Sequence, residues 1–110
     1  MLSAKGRVGE MELRKYREMD CAVALPLLAD YVKADDSFVP ILTSHTHRWH
    51  LVAKGRQFEL LTTGAKWFDT REQRGGGGAV DLTMHLFQAD FKQAVALLRD
   101  VTSQNLDNCP

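Results

Sequence analysis

Four consecutive glycines, Gly75 to Gly78, constrain this chain more than any other feature. Glycine loses more backbone freedom on folding than any other residue and brings no side chain to pack, so the run predicts a turn outside regular structure. It also separates two patterns. Before it lie short stretches rich in aromatic and β-branched residues; after it, apolar residues recur at helical spacing. At 110 residues the chain has room for one domain, not for a barrel or a dinucleotide-binding pair of sheets. The expected class is α+β: a small antiparallel sheet of three to four strands, one or two helices before it and two after it.

The strands are read from the centre of the chain. Residues 49–52 and 58–62 flank a Lys54-Gly55-Arg56 turn signal and predict a hairpin, and Thr63-Gly64-Ala65 leads into a third strand over 66–69. Residues 39–43 could add a fourth. Strict alternation sends Trp67 and Phe68 to opposite faces, so at least one belongs to the core. Downstream, the mostly apolar residues 79–87 predict a buried helix. Asp90 can cap a last helix whose stripe is Phe91, Ala94, Val95, Leu97 and Leu98.

Upstream, Val23, Leu25, Leu27, Leu28, Tyr31 and Val32 can share one helical face. Pro26 favours a start near residue 24, which places the ring in the first turn, with a break at Lys33 and a turn at Asp35-Asp36. Residues 1–19 are expected to be a flexible or helical leader, 20–101 the compact domain, and 102–110 a polar tail that is either a free terminus or a cut from a longer chain.

The charge is balanced, 14 basic against 14 acidic residues, which argues against a surface coated in cations. The sum conceals a division. Residues 44–74 hold six basic residues (Arg48, Lys54, Arg56, Lys66, Arg71, Arg74) against three acidic ones, whereas residues 75–110 hold two against four. Trp49, Trp67 and Phe68 are interleaved with the basic group. Cations for phosphates beside flat faces for unstacked bases are what a single-stranded nucleic-acid platform requires.

Other motifs are weaker. The run from Arg74 through Gly75 and Gly76 to Asp81 lacks the ending of a nucleotide-hydrolase phosphate loop; it reads as a phosphate contact flanked by Arg71 and Arg74, or as a close backbone crossing that tolerates no side chain. His45, His47 and His50 lie within six residues, but alternation divides them between two faces and no fourth ligand is near. Two cysteines, Cys21 and Cys109, suit neither a disulfide framework nor a zinc finger. A cytoplasmic protein without cofactor or metal is expected, with no membrane span and no catalytic set of its own.

From residue 21 to 100 the order of elements, with Trp67-Phe68 before the glycines, Gly78-Ala79-Val80-Asp81-Leu82 after them and Phe91-Lys92-Gln93-Ala94-Val95 beyond, resembles the N-terminal zinc-binding domain of bacterial and phage DNA primases. That domain carries Cys-x-x-Cys-Gly where this chain has Asp69-Thr-Arg-Glu-Gln-Arg-Gly. The resemblance therefore implies a zinc-free form of this zinc-ribbon-like domain, similar to those of primase-like Toprim proteins on plasmids and mobile elements. It implies a non-catalytic module that binds single-stranded template, here through Arg48, Trp49, Lys54, Arg56, Lys66, Trp67, Arg71, Arg74, Gly75 and Gly76. The alternative is a protein-interaction module docking a Toprim catalytic domain, a relaxase or another replication or conjugation partner through the acidic helices and the Trp-rich edge.

Overall fold

In the computed structural model, which describes residues 9–41 and 44–107, the glycine run is a strand. Five strands, β1 (Tyr31–Ala34), β2 (Thr46–Ala53), β3 (Arg56–Thr63), β4 (Lys66–Asp69) and β5 (Arg74–Gly77), form one antiparallel sheet in chain order. Four helices, α1 (Glu10–Glu18), α2 (Cys21–Leu28), α3 (Ala79–Phe87) and α4 (Phe91–Asp107), accompany it. The class is α+β, with five strands where three or four are expected.

Both extra strands correct the reading of the sequence. Arg74–Gly77 pairs with β4, Gly75 opposite Phe68 and Gly76 opposite Trp67. The neighbours require glycine there. A Cβ on Gly75 would come within 3.1 Å of the Phe68 ring; on Gly76 it would overlap the Asp81 carboxylate and lie 2.8 Å from Trp67 Cζ2. Neither reading offered for the run, a phosphate contact or a loop crossing over the sheet, is the one found: the run is a paired edge strand, though the close approach that the second reading expected is present at Gly75 and Gly76. At the other edge, Tyr31 and Val32 leave the expected helix to pair with Val52 and Leu51. Residues 39–41 join no strand; the rest of that proposed strand, Leu42 and Thr43, lies outside the described residues.

The helix before β1 starts three residues earlier than expected, because Asp20 caps it by accepting the Ala22 amide at 2.9 Å. Pro26 therefore falls in the second turn. There it cannot donate to the Ala22 carbonyl four residues upstream, and the helix ends two residues later at Leu28. The hairpin turn is Lys54-Gly55, both with positive φ, as a two-residue primed turn demands. Asp90 caps α4 reciprocally: Asp90 Oδ1 accepts the Gln93 amide at 2.8 Å, and Gln93 Oε1 accepts that of Asp90 at 2.9 Å. The helix runs on to Asp107, through residues expected to be tail.

The helices gather on one side of the sheet. Leu25 and Leu28 of α2, Leu82 and Leu86 of α3, and Val95 and Leu98 of α4 meet Leu51, Phe58, Leu60 and Trp67 in a single core. Helix α1 belongs to this body: Tyr16 is buried, and Arg99 on α4 binds both oxygens of Glu12 at 2.7 Å. Cys21 is buried in the same core, and its desolvation, with Asp20 nearby, pushes the thiol up to about 12. Among the described residues no helix is long and apolar enough to cross a membrane.

Candidate nucleic-acid interface

The ladder register assigns every strand residue to a face. Opposite partners share a face, so Trp49, Leu51, Phe58, Leu60, Trp67 and Asp69 turn to the helices. Their neighbours turn the other way. Tyr31 and Lys33 of β1, Arg48 and His50 of β2, Glu59 and Leu61 of β3, and Lys66 and Phe68 of β4 form an open face on which no described helix packs.

This face is both cationic and aromatic. Tyr31 is 56% exposed and Phe68 37% exposed, and Phe68 sits opposite Leu61 on one side and Gly75 on the other. Lys33 and Lys66 are exposed beside them, and Arg71 closes a small cleft with Tyr31, His50 and Gln57 at one end. At the other end the loop after β1 folds back. Asp35 Oδ2 accepts Arg48 Nε and pairs with His50 Nε2, both at 2.9 Å, while the Arg48 guanidinium lies 5.1 Å over the Phe38 ring. Hydrogen bonds from Ser37, then from His50 and Arg48, hold the Asp35 carboxyl far below the usual carboxylate range.

The residues expected to bind nucleic acid are divided by the sheet. Arg48, Lys66 and Arg71 lie on the open face or its rim. Trp67 does not: it is 4% exposed and stacked on His85 with ring centroids 4.7 Å apart, so it has no free face for a base. Trp49 is half-buried on the helix side, its indole N–H donating to Thr62 Oγ1 at 2.8 Å. Trp67 is corrected to a core residue, and Trp49 packs in part against the same core, on the side away from the open face. Arg56 and Arg74 line a cavity on the helix side, and Lys54 lines a cleft there with Gln93 and Asp100. Gly75 sits under Phe68, and Gly76 is closed in by Asp81 and Trp67.

The phosphate-cradle reading of the glycine run is also corrected. The Gly77 amide donates to Asp81 Oδ2 at 3.0 Å and the Gly78 amide to the Ala65 carbonyl at 2.8 Å, so a side chain and a strand already occupy those donors. Three residues of the open face are missing from the expected binding set: Tyr31, taken for helix, Lys33, taken for the break after it, and Phe68, noted only beside the two tryptophans. The last was within reach: once Trp67 is core, alternation sends Phe68 outward.

Asp69, buried at the end of β4, organises the turn into β5. Its Oδ1 accepts the amides of Arg71 and Glu72 at 2.9 and 3.0 Å, and its Oδ2 pairs with His85 Nε2 at 2.7 Å. Among the described residues no three His, Cys, Asp or Glu side chains are grouped to hold a metal ion. Asp69 and His85 bind each other, and that donor set does not fit zinc.

Fold and site together define an α+β domain with one face of its antiparallel sheet packed and the other open. No family model and no solved structure matches the sequence. A stretch of 44 residues, 40% of the chain, is 41% identical to part of the 65 kDa protein of Zymomonas mobilis, and this covers 8% of that protein's length.

Proposed function

We propose that the domain binds single-stranded DNA on the open face of its sheet, as a non-catalytic module of a primase-like or mobile-element replication or transfer protein. The observation that carries this reading is the face itself: exposed Tyr31 and Phe68 among Lys33, Arg48, Lys66 and Arg71, without helix cover. Each base stacked on an aromatic ring contributes about 1–3 kcal/mol, and the cations follow the phosphates. With Arg48 already paired to Asp35, the three remaining cations give a log–log salt slope of about −2, at roughly −0.7 per phosphate contact.

The primase-like part of the proposal draws on the sequence resemblance and on Asp69. In a zinc-free form something must hold the turn that metal-bound cysteines would otherwise fix, and the hydrogen bonds of Asp69 to two amides and His85 supply such a fastening. Fluorescence anisotropy with a labelled oligothymidine at low salt tests the interface. Saturable binding that Phe68→Ala and Lys66→Ala each weaken is expected. Absence of binding, or binding that both variants leave intact, overturns it.

One observation favours the second reading, a partner-docking module. Phe38, Ile41, Thr46 and Leu61 line an apolar cleft at the edge of the open face, beside exposed Val39. Co-purification with a replication or transfer protein that Leu61→Asp abolishes, together with indifference to DNA, would select this reading over the first.

A further inference from the structure

On the helix side, between the β4–β5 turn and the C-terminal half of α3, lies a cavity of about 390 Å³ lined by Arg56, Glu72, Arg74, Asp81, His85 and Gln88. Its volume falls in the range of small-molecule sites. Its charges are arranged unusually. Two arginines and two carboxylates share the cavity, yet among the described residues neither arginine forms an ion pair within 4.0 Å. Asp81 is instead engaged by the Gly77 amide.

The second observation concerns unmet donors. Arg56 packs its guanidinium 4.9 Å over the Phe58 ring, and its Nη1 is closed to solvent without any acceptor. A buried, unpaired donor on a charged group is costly, and a small shift of the guanidinium towards an acceptor held in the cavity would remove that cost. Phe58 in turn meets the His85 ring edge-on at 6.0 Å, and His85 is anchored through Nε2 to buried Asp69. The cavity wall is thus held rigidly, which favours recognition of a fixed shape over a diffuse charge.

We propose that this cavity binds a phosphate monoester, with Arg56 and Arg74 on the phosphoryl oxygens and Glu72 and Gln88 available to the hydroxyl or amino groups of an attached nucleoside. Arginine's planar fork suits phosphate oxygens, and carboxylate or amide groups nearby suit sugar hydroxyls. The source of the monoester is either a free nucleotide or the 5′-phosphate end of a strand. The site lies across the sheet from the open face and stands or falls independently of DNA binding there.

Titration of the purified protein with a nucleoside 5′-monophosphate, followed by tryptophan fluorescence or calorimetry, tests the assignment. Saturable binding is expected, with competition by inorganic phosphate and no binding of the unphosphorylated nucleoside. Arg74→Ala, at an exposed position, should weaken binding at least tenfold; Arg56→Ala should do the same, with thermal melts confirming that both variants fold. Lys92→Ala, at an exposed position of α4 outside both sites, should leave it unchanged. A 5′-phosphorylated oligonucleotide that binds through Arg56 and Arg74 where the mononucleotide does not would identify the strand end as the source. Equal binding of phosphorylated and unphosphorylated ligands, insensitivity to Arg74→Ala, or no saturation by either phosphorylated ligand overturns the proposal.

Discussion

The two faces of the sheet are made from the same strands, often from adjacent residues, and are used in opposite ways. Leu60 is fully buried against the helices, while Leu61 lies half-exposed between Arg48 and Phe68. On the helix side, apolar area removed from water supplies stability. On the open side the same kind of residue is left in contact with water, and it is these exposed apolar and cationic groups that the proposed binding would use. A residue's worth to folding and its worth to binding are therefore expected to separate by face.

The sharpest test of that separation is the pair Leu60→Ala and Leu61→Ala. The first leaves a cavity in the core, beside the ladder partners Trp49 and Asp69, and should cost about 2–5 kcal/mol in urea unfolding. The second should cost less than about 1 kcal/mol, since its site is open to solvent. Equal losses would mean that something covers the open face.

A similar contrast separates the buried and exposed carboxylates. Asp69→Ala leaves His85 without its hydrogen-bond partner and two turn amides without an acceptor, a loss of about 1–3 kcal/mol for buried groups left unsatisfied. It should also loosen the β4–β5 turn, visible as faster amide exchange at Arg71 and Glu72. If Asp69→Ala unfolds at the same urea concentration as the parent, Asp69 does not fasten the turn and the zinc-free reading loses its physical support.

The glycines differ from one another in the same way. Gly76→Ala should destabilise by about 1–3 kcal/mol through overlap with Asp81 and Trp67, whereas Gly77→Ala meets no atom within 4 Å and should be near neutral. Circular dichroism melts of the two variants distinguish a packed edge strand from a flexible glycine loop, in which neither substitution would matter.

How far these features can be read from the sequence depends on how local their causes are. The 54–55 turn, the β2–β3 hairpin, the capping of α4 by Asp90 and the helical stripe through Val95 and Leu98 are set by neighbours in sequence, and they are legible. The strand character of Arg74–Gly77 is not, because it arises from Trp67, Phe68 and Asp81 packing against a backbone that expresses no preference of its own. Tyr31 and Val32 mislead for the opposite reason: they continue the apolar spacing of α2, and only pairing with Val52 and Leu51 turns them into a strand. The basic, aromatic character of the sheet region is visible in composition, but composition carries no face. It therefore points to Trp49 and Trp67, the larger rings, where the open face presents Tyr31 and Phe68.

The smallest expected effect concerns the loop that bounds the open face. Asp35 titrates below the usual carboxylate range in the folded protein because Ser37, His50 and Arg48 favour its charged form. A depressed carboxyl contributes stability above its unfolded value, about 3.9, and loses it as the pH falls towards the folded value. The contacts of Asp35 with Ser37, Arg48 and His50 should therefore persist at pH 4, where an unassisted aspartate is nearly half protonated. Following the Ser37 amide by NMR from pH 7 to pH 2.5 checks this: its shift should stay constant through pH 4 and move only below it. A midpoint near 3.9 would mean that Asp35 is not held by these partners and that Phe38 and Arg48 are free to leave the edge of the face. Asp35→Asn mimics that release at neutral pH. If the loop bounds a DNA-binding surface, the variant should raise oligothymidine affinity by freeing Arg48 for phosphate, together with a modest fall in melting temperature from the lost Asp35 contacts.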